Sequence, residues 1–285
     1  MPEPPLIERE KEVALLKEAL ATLAGDSQAG PRAVFVTGPT GRGRSAILTT
    51  AGREASGFKW LKGRWPTGGA GPEALREVLP TSAFTPYDKL RERLAVLERK
   101  VEAAQLALGL PLAGEEQEEP RLRAVQAIPP QALHFLIRRI YTVYSPEQMS
   151  EQAAAFVKTG LEHILTFTAA NLSQLRTFVD EIRQSLSATD WEFYLKPEQG
   201  LARALGKGVS TLSRDMSLLI TLEDYHFPEG RQENWLRLMV EESGRTLWIF
   251  EAENFPGWGE ELKLEPLSPS GVATYFEATP GRSLS

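Results

Sequence analysis

The chain has 285 residues, 42% of them hydrophobic and 25% charged, which excludes a chain too polar to fold and sets an expectation of one or two domains with a sizeable core. Its formal net charge of −6 argues against nucleic acid as a direct partner, and the absence of cysteine excludes disulfides, thiolate metal sites and cysteine nucleophiles. No apolar run approaches the roughly 20 residues of a bilayer span, and the N-terminus MPEPPLIEREKE lacks a signal-peptide pattern, so the expectation is a cytoplasmic protein with no membrane partner.

Val13, Leu16, Leu20 and Leu23 fall on one face of a helix that begins near Glu8, and residues 25–31, GDSQAGP, form a loop. The run Ala33-Val34-Phe35-Val36-Thr37 is short, apolar and β-branched, the signature of a strand buried on both faces of a parallel sheet. Glycine-rich Gly38–Gly43 follows, and a helical pattern resumes at Ser45. FKWLKGR, Phe58–Arg64, alternates apolar and basic residues as a second strand. Residues 65–80 form a loop with one helical turn.

From there the pattern turns helical. Leu90, Leu94, Leu97 and Val101 share a face over residues 87–106, GEEQEEP at 114–120 is an acidic, solvated breaker, and residues 131–144 form a helix. Ser145-Pro146 opens a helical stretch, interrupted near 169–171, that carries the stripe Leu172, Leu175, Val179, Ile182 and Leu186. Residues 85–190 are therefore a helix-rich insertion within a single domain spanning 1–285. A helix over 196–212, the apolar strand SLLITL ending in Glu223-Asp224, an amphipathic segment 231–242, the strand TLWIFE and the short strand ELKLE complete the order. Apolar strands separated by helices predict an α/β fold of three layers with a mainly parallel sheet.

Gly38-Pro39-Thr40-Gly41-Arg42-Gly43-Arg44-Ser45 carries both glycines and the serine of the phosphate-loop pattern G-x-x-x-x-G-K-[ST], with Arg44 in the lysine position. The glycines permit positive φ, the loop amides form an anion nest, and the helix N-terminus adds its dipole. Arg44 would lie along the β- and γ-phosphates and Ser45 would place a hydroxyl on Mg²⁺. An arginine is bulkier than the compact ammonium such a loop encloses, so binding can persist while hydrolysis fails. At the end of the second apolar strand, Glu223 takes the Mg²⁺ position and Asp224 the water-activating one. Glu251, Glu253 and Asn254 are polar candidates beside the γ-phosphate, with Asn254 the more natural sensor. His134 and His163 lack metal-ligand spacing, His226 follows the acidic pair at the site's edge, and no Ser/His/Asp triad or G-x-S-x-G elbow can be assembled.

These motifs together resemble the AAA-type P-loop ATPase module of the signal-transduction ATPases with numerous domains (STAND). Leu6-Ile7-Glu8-Arg9-Glu10-Lys11-Glu12 is similar to the family's L-x-G-R-E-x-E segment, with Glu8 in place of glycine; LEDYHF at 222–227 is similar to L-D-D-L-H-W; and LEPLS at 264–268 resembles L-x-P-L-S. The resemblance covers most of 5–65 and 196–276. It implies ATP and Mg²⁺ as ligands, Arg9 on the base side of the nucleotide, a protein partner or self-association, and a helical lid domain whose start coincides with the end of this chain. Arg44 and Glu223, both at catalytic positions and both charge-preserving, imply a degenerate ATPase. The expected function is a nucleotide-dependent regulatory switch with weak or absent hydrolysis. A pseudo-ATPase scaffold working by protein contacts is the alternative, and a P-loop kinase is disfavoured by the Glu-Asp strand end.

Overall fold

In a computed structural model of the chain, the described residues are 6–26, 29–65, 72–107, 125, 128–143, 169–226 and 233–278. They divide into two units, Met1–Asp88 with Leu201–Ser285, and Lys89–Gly200.

The first unit is built on five strands: β1 (Arg32–Thr37), β2 (Lys59–Arg64), β3 (Leu218–Tyr225), β4 (Thr246–Ala252) and β5 (Glu260–Lys263). Their order across the sheet is β2-β3-β4-β1-β5, and every neighbouring pair is parallel. Position in the sheet explains the composition of each strand. β4 is buried at every residue and β1 at all but its first, so both are apolar through their centres, Ala33–Val36 and Leu247–Phe250. β2 and β5 are the edges; they keep charged residues facing water, which also discourages pairing with another chain.

Alternate strand residues feed opposite faces of the sheet. On one face Val34, Val36, Leu219 and Ile249 pack against α1 (Glu10–Gly25) and α2 (Arg44–Glu54) through Leu16, Leu20, Ile47 and Leu48. On the other, Phe35, Ile220, Trp248 and Phe250 pack against the first turns of α3 (Thr81–Ala107), the body of α7 (Pro197–Leu212) and α8 (Glu233–Glu241). The result is the expected three-layer α/β arrangement. Each large side chain so buried contributes roughly 1.5–3 kcal/mol.

The second unit is helical. Leu97 and Val101 of α3, Leu133 and Ile137 of α4 (Pro130–Val143), Phe178 and Ile182 of α5 (Ala169–Ser185) and Tyr194 of α6 (Ala188–Leu195) form its core. His134 is buried in it, with Nδ1 2.8 Å from the Tyr194 hydroxyl and Nε2 3.1 Å from Glu102. Arg138 lies over the Tyr194 ring and bonds Glu98.

Two local departures from the sequence reading have physical causes. α3 begins at Thr81 rather than near Tyr87 and runs through Pro86. The missing amide bond costs a few kcal/mol (about 3), which burial of Ala83, Phe84 and Tyr87 offsets. The helical turn expected in the loop over 65–80 is a 3₁₀ helix, Pro72–Glu77. β3 continues through Glu223 and Asp224 to Tyr225, so the acidic pair sits within the strand and not beyond it. The acidic segment 114–120, the helix expected over 145–168, His163 and Phe227 lie outside the described residues. Among the described residues, no helix is long and apolar enough to cross a membrane.

Candidate functional site

Because all five strands are parallel, their C-terminal ends share one edge. The chain leaves β1 toward β2 on one side, and leaves β4 toward β5 on the other, passing β1. The reversal falls between β1 and β4, where open α/β sheets form a ligand crevice. Gly38–Ser45 follows β1 at this edge, Glu251 ends β4, and Glu223-Asp224 lies on β3.

The loop is set by its glycines. Gly38 has φ 137°, and a Cβ there would stand 3.2 Å from the Leu264 carbonyl oxygen just beyond β5, so only glycine fits without displacement. Gly41 and Gly43 both have φ 86°, the left-handed region, and Gly43 caps the N-terminus of α2. Pro39 and Thr40 are exposed at the tip. Among the described residues, no backbone carbonyl accepts from the amides of Thr40, Gly41, Arg42 or Gly43. Those donors, with the dipole of α2 behind them, suit an anion.

Arg44 turns back into its own loop. Its Nη1 donates to the Gly38 carbonyl at 2.9 Å, and its Nε lies 3.3 Å from Glu251 Oε1. The exposed Ser45 donates its hydroxyl to Glu251 Oε2 at 2.8 Å. Glu251 is therefore the hub of the loop. Burial pushes its carboxyl above the ordinary value; Ser45 and Arg44 pull it down, and Asp224 and Glu223 push it up again. Glu253 and Asn254, one turn further on, are exposed.

The acidic pair faces two cations from the neighbouring strand. Lys62 Nζ is 2.8 Å from Glu223 Oε1, and Arg64 Nε is 2.8 Å from Asp224 Oδ2. Asp224 has φ 53°, where β3 and β4 slip out of register between Leu222 and Tyr225. Regular pleating would send consecutive side chains to opposite faces. The left-handed residue breaks that alternation, and both carboxylates meet cations that lie two apart on β2. The donors expected for Mg²⁺ are hard oxygens of the right kind. Their partners do not fit it: Glu223 already holds the Lys62 ammonium and Asp224 the Arg64 guanidinium.

Arg9, buried, ties the N-terminal segment to the loop. Its Nη2 donates to the carbonyls of Arg42 at 3.3 Å and Glu265 at 2.8 Å. Glu8 before it has φ 54° and accepts from the Ser268 amide at 2.7 Å and from the Ser268 hydroxyl, bonds that hold its carboxyl below the usual range. Beside Arg9 opens a cavity of about 290 Å³, with Leu6, Ile7, Tyr275 and Phe276 on its apolar walls and Gly41–Gly43 on its polar one. Tyr275 and Phe276 come from α9 (Pro269–Ala278).

The fold thus joins Gly38–Ser45 to Glu251 through Arg44 and Ser45 and to Arg9 through the Arg42 carbonyl, with Arg9 and Gly41–Gly43 on the cavity and Glu223 and Asp224 at the same end of the sheet. His226 is exposed after them. Lys62, Arg64, Tyr275 and Phe276 were not legible as site residues. The alternation in FKWLKGR hinted at the first two; no signal marked the aromatics. No family model and no curated protein sequence matches the chain.

Proposed function

We propose that this chain is an ATP-binding regulatory module of the P-loop class, with weak or absent hydrolysis. The single observation that carries the reading is the shared wall: the apolar cavity and the glycine loop meet at Gly41–Gly43. A nucleotide has this division, an apolar flat base beside a chain of anions. The phosphates would lie on the amides of Gly38–Ser45, and the base against Tyr275 and Phe276 beside Arg9. Glu8 adds support for the family resemblance. It occupies the glycine position of the L-x-G-R-E segment and adopts a left-handed backbone, the conformation that favours glycine.

The switch would act through Glu251. A γ-phosphate competes for Arg44 and Ser45, so binding releases the end of β4 from the loop and biases one of two arrangements. The readout would be a protein partner or self-association. A pseudo-ATPase scaffold is the second reading, favoured by the internal satisfaction of Arg44 and Ser45 by Glu251.

The test is equilibrium binding of a fluorescent ATP analogue to the wild type and to Gly43→Asp. The variant forces a side chain onto φ 86° and sets a carboxylate at the anion nest. Saturable wild-type binding that the variant abolishes is expected. Absence of wild-type binding at millimolar nucleotide would refute the reading.

A further inference from the structure

We propose that the site takes its nucleotide without a divalent cation, Lys62 and Arg64 supplying at Glu223 and Asp224 the positive charge that Mg²⁺ would otherwise bring. This deepens the nucleotide-binding reading and rests on it. Three of the carboxylates at this end of the sheet, Glu223, Asp224 and Glu251, are each matched by one cation, Lys62, Arg64 and Arg44 respectively. These three pairs carry no net charge. A Mg²⁺ ion arriving there would meet no net negative charge to repay the loss of its tightly held water. At Glu223 it would also meet the Lys62 ammonium 2.8 Å from the oxygen it needs.

The pairing is placed by the sheet. The β2–β3 register sets Arg64 beside Glu223, and Lys62 shares Arg64's face two residues back. The left-handed Asp224 lets the second carboxylate reach Arg64. The side chains of Lys62 and Arg64 are 43% and 72% exposed. Such pairs add little to stability, about 0–1 kcal/mol each. Their effect is electrostatic: they cancel the field that would draw a dication.

The experiment titrates the fluorescent ATP analogue into the full chain in EDTA and in Mg²⁺, using the wild type and the double variant Lys62→Met, Arg64→Gln. Circular dichroism and thermal melts verify that the variant is folded. Wild-type affinity is expected to agree within about threefold between the two conditions, and the double variant to bind about tenfold or more tightly with Mg²⁺ than with EDTA. A wild type that binds at least about tenfold more weakly in EDTA overturns the proposal while leaving nucleotide binding intact. A double variant as indifferent to Mg²⁺ as the wild type overturns the assignment to Lys62 and Arg64. Absence of wild-type binding in both conditions removes the nucleotide reading itself, and the proposal with it. If the double variant does not fold, the single Lys62→Met change, which frees Glu223, carries the same comparison.

Discussion

Glu251→Gln is the sharpest perturbation of the site, because it removes the counter-charge and the acceptor that hold Arg44 at nearly unchanged side-chain size. Glutamine keeps the length of the side chain and an oxygen that can accept from Ser45. Glu251 is 5% exposed, with one oxygen 3.3 Å from Arg44 and the other 2.8 Å from Ser45. An incoming phosphate must draw both donors away from it. Hydrogen bonds to a charged group exceed neutral ones by about 1 kcal/mol, so the variant releases Ser45 and Arg44 more cheaply by that amount. Removing a carboxylate's repulsion for a phosphate nearby adds at least about 1 kcal/mol after screening. Together, about 2 kcal/mol corresponds to roughly thirtyfold tighter binding. The assay is the ATP-analogue titration in EDTA, paired with a thermal melt. The melting temperature should fall, since the variant leaves the buried Arg44 without its counter-charge. Unchanged or weaker affinity in a variant still folded at the assay temperature would refute Glu251 as the group that restrains the loop.

Arg44→Lys should bind nucleotide about tenfold more tightly, because a point ammonium cannot span Gly38 and Glu251 as the guanidinium does; a phosphate-release assay should stay at background while Lys62 and Arg64 hold the carboxylates. The Glu8 carboxyl is held below its ordinary value, first by the Ser268 hydroxyl; its stabilising effect is therefore present above the unfolded value of 4.5 and lost as pH falls through the folded one. Melting curves across the acid range should fall more steeply for the wild type than for Ser268→Ala, and parallel curves would contradict this. Tyr194→Phe leaves His134 Nδ1 without its hydroxyl in a buried site, a loss of about 1–3 kcal/mol that a denaturant titration followed by the helical signal should detect.

What was legible in the sequence follows from distance along the chain. β1, the glycine loop and α2 read in order because a continuous apolar run, positive-φ residues and a 3.6-residue period are local signals within some 20 residues. The acidic pair read correctly as acidic, yet its partners did not. Lys62 meets Glu223 only because β2 lies beside β3 in parallel register, a pairing across 161 residues that no local pattern announces. Glu251 was named among the polar candidates, but its hold on Arg44 and Ser45 depends on β4 inserting between β1 and β3. The left-handed Asp224 read as a strand end, since the alternation breaks there. Tyr275 and Phe276 line a cavity formed with residues near the N-terminus, and the sequence reading assigned no element to them, so even their helix, Pro269–Ala278, was not anticipated.

The strand order has a consequence for synthesis. β1 emerges early, yet both of its neighbours, β4 and β5, belong to residues 246–263. On a ribosome adding about 5–20 residues per second, the gap of about 200 residues leaves an apolar strand with two unpaired edges for roughly 10–40 seconds. During that interval the nascent chain displays an aggregation-prone template, and its yield in a cell would depend on chaperones that shield short β-branched runs until the last quarter of the chain arrives.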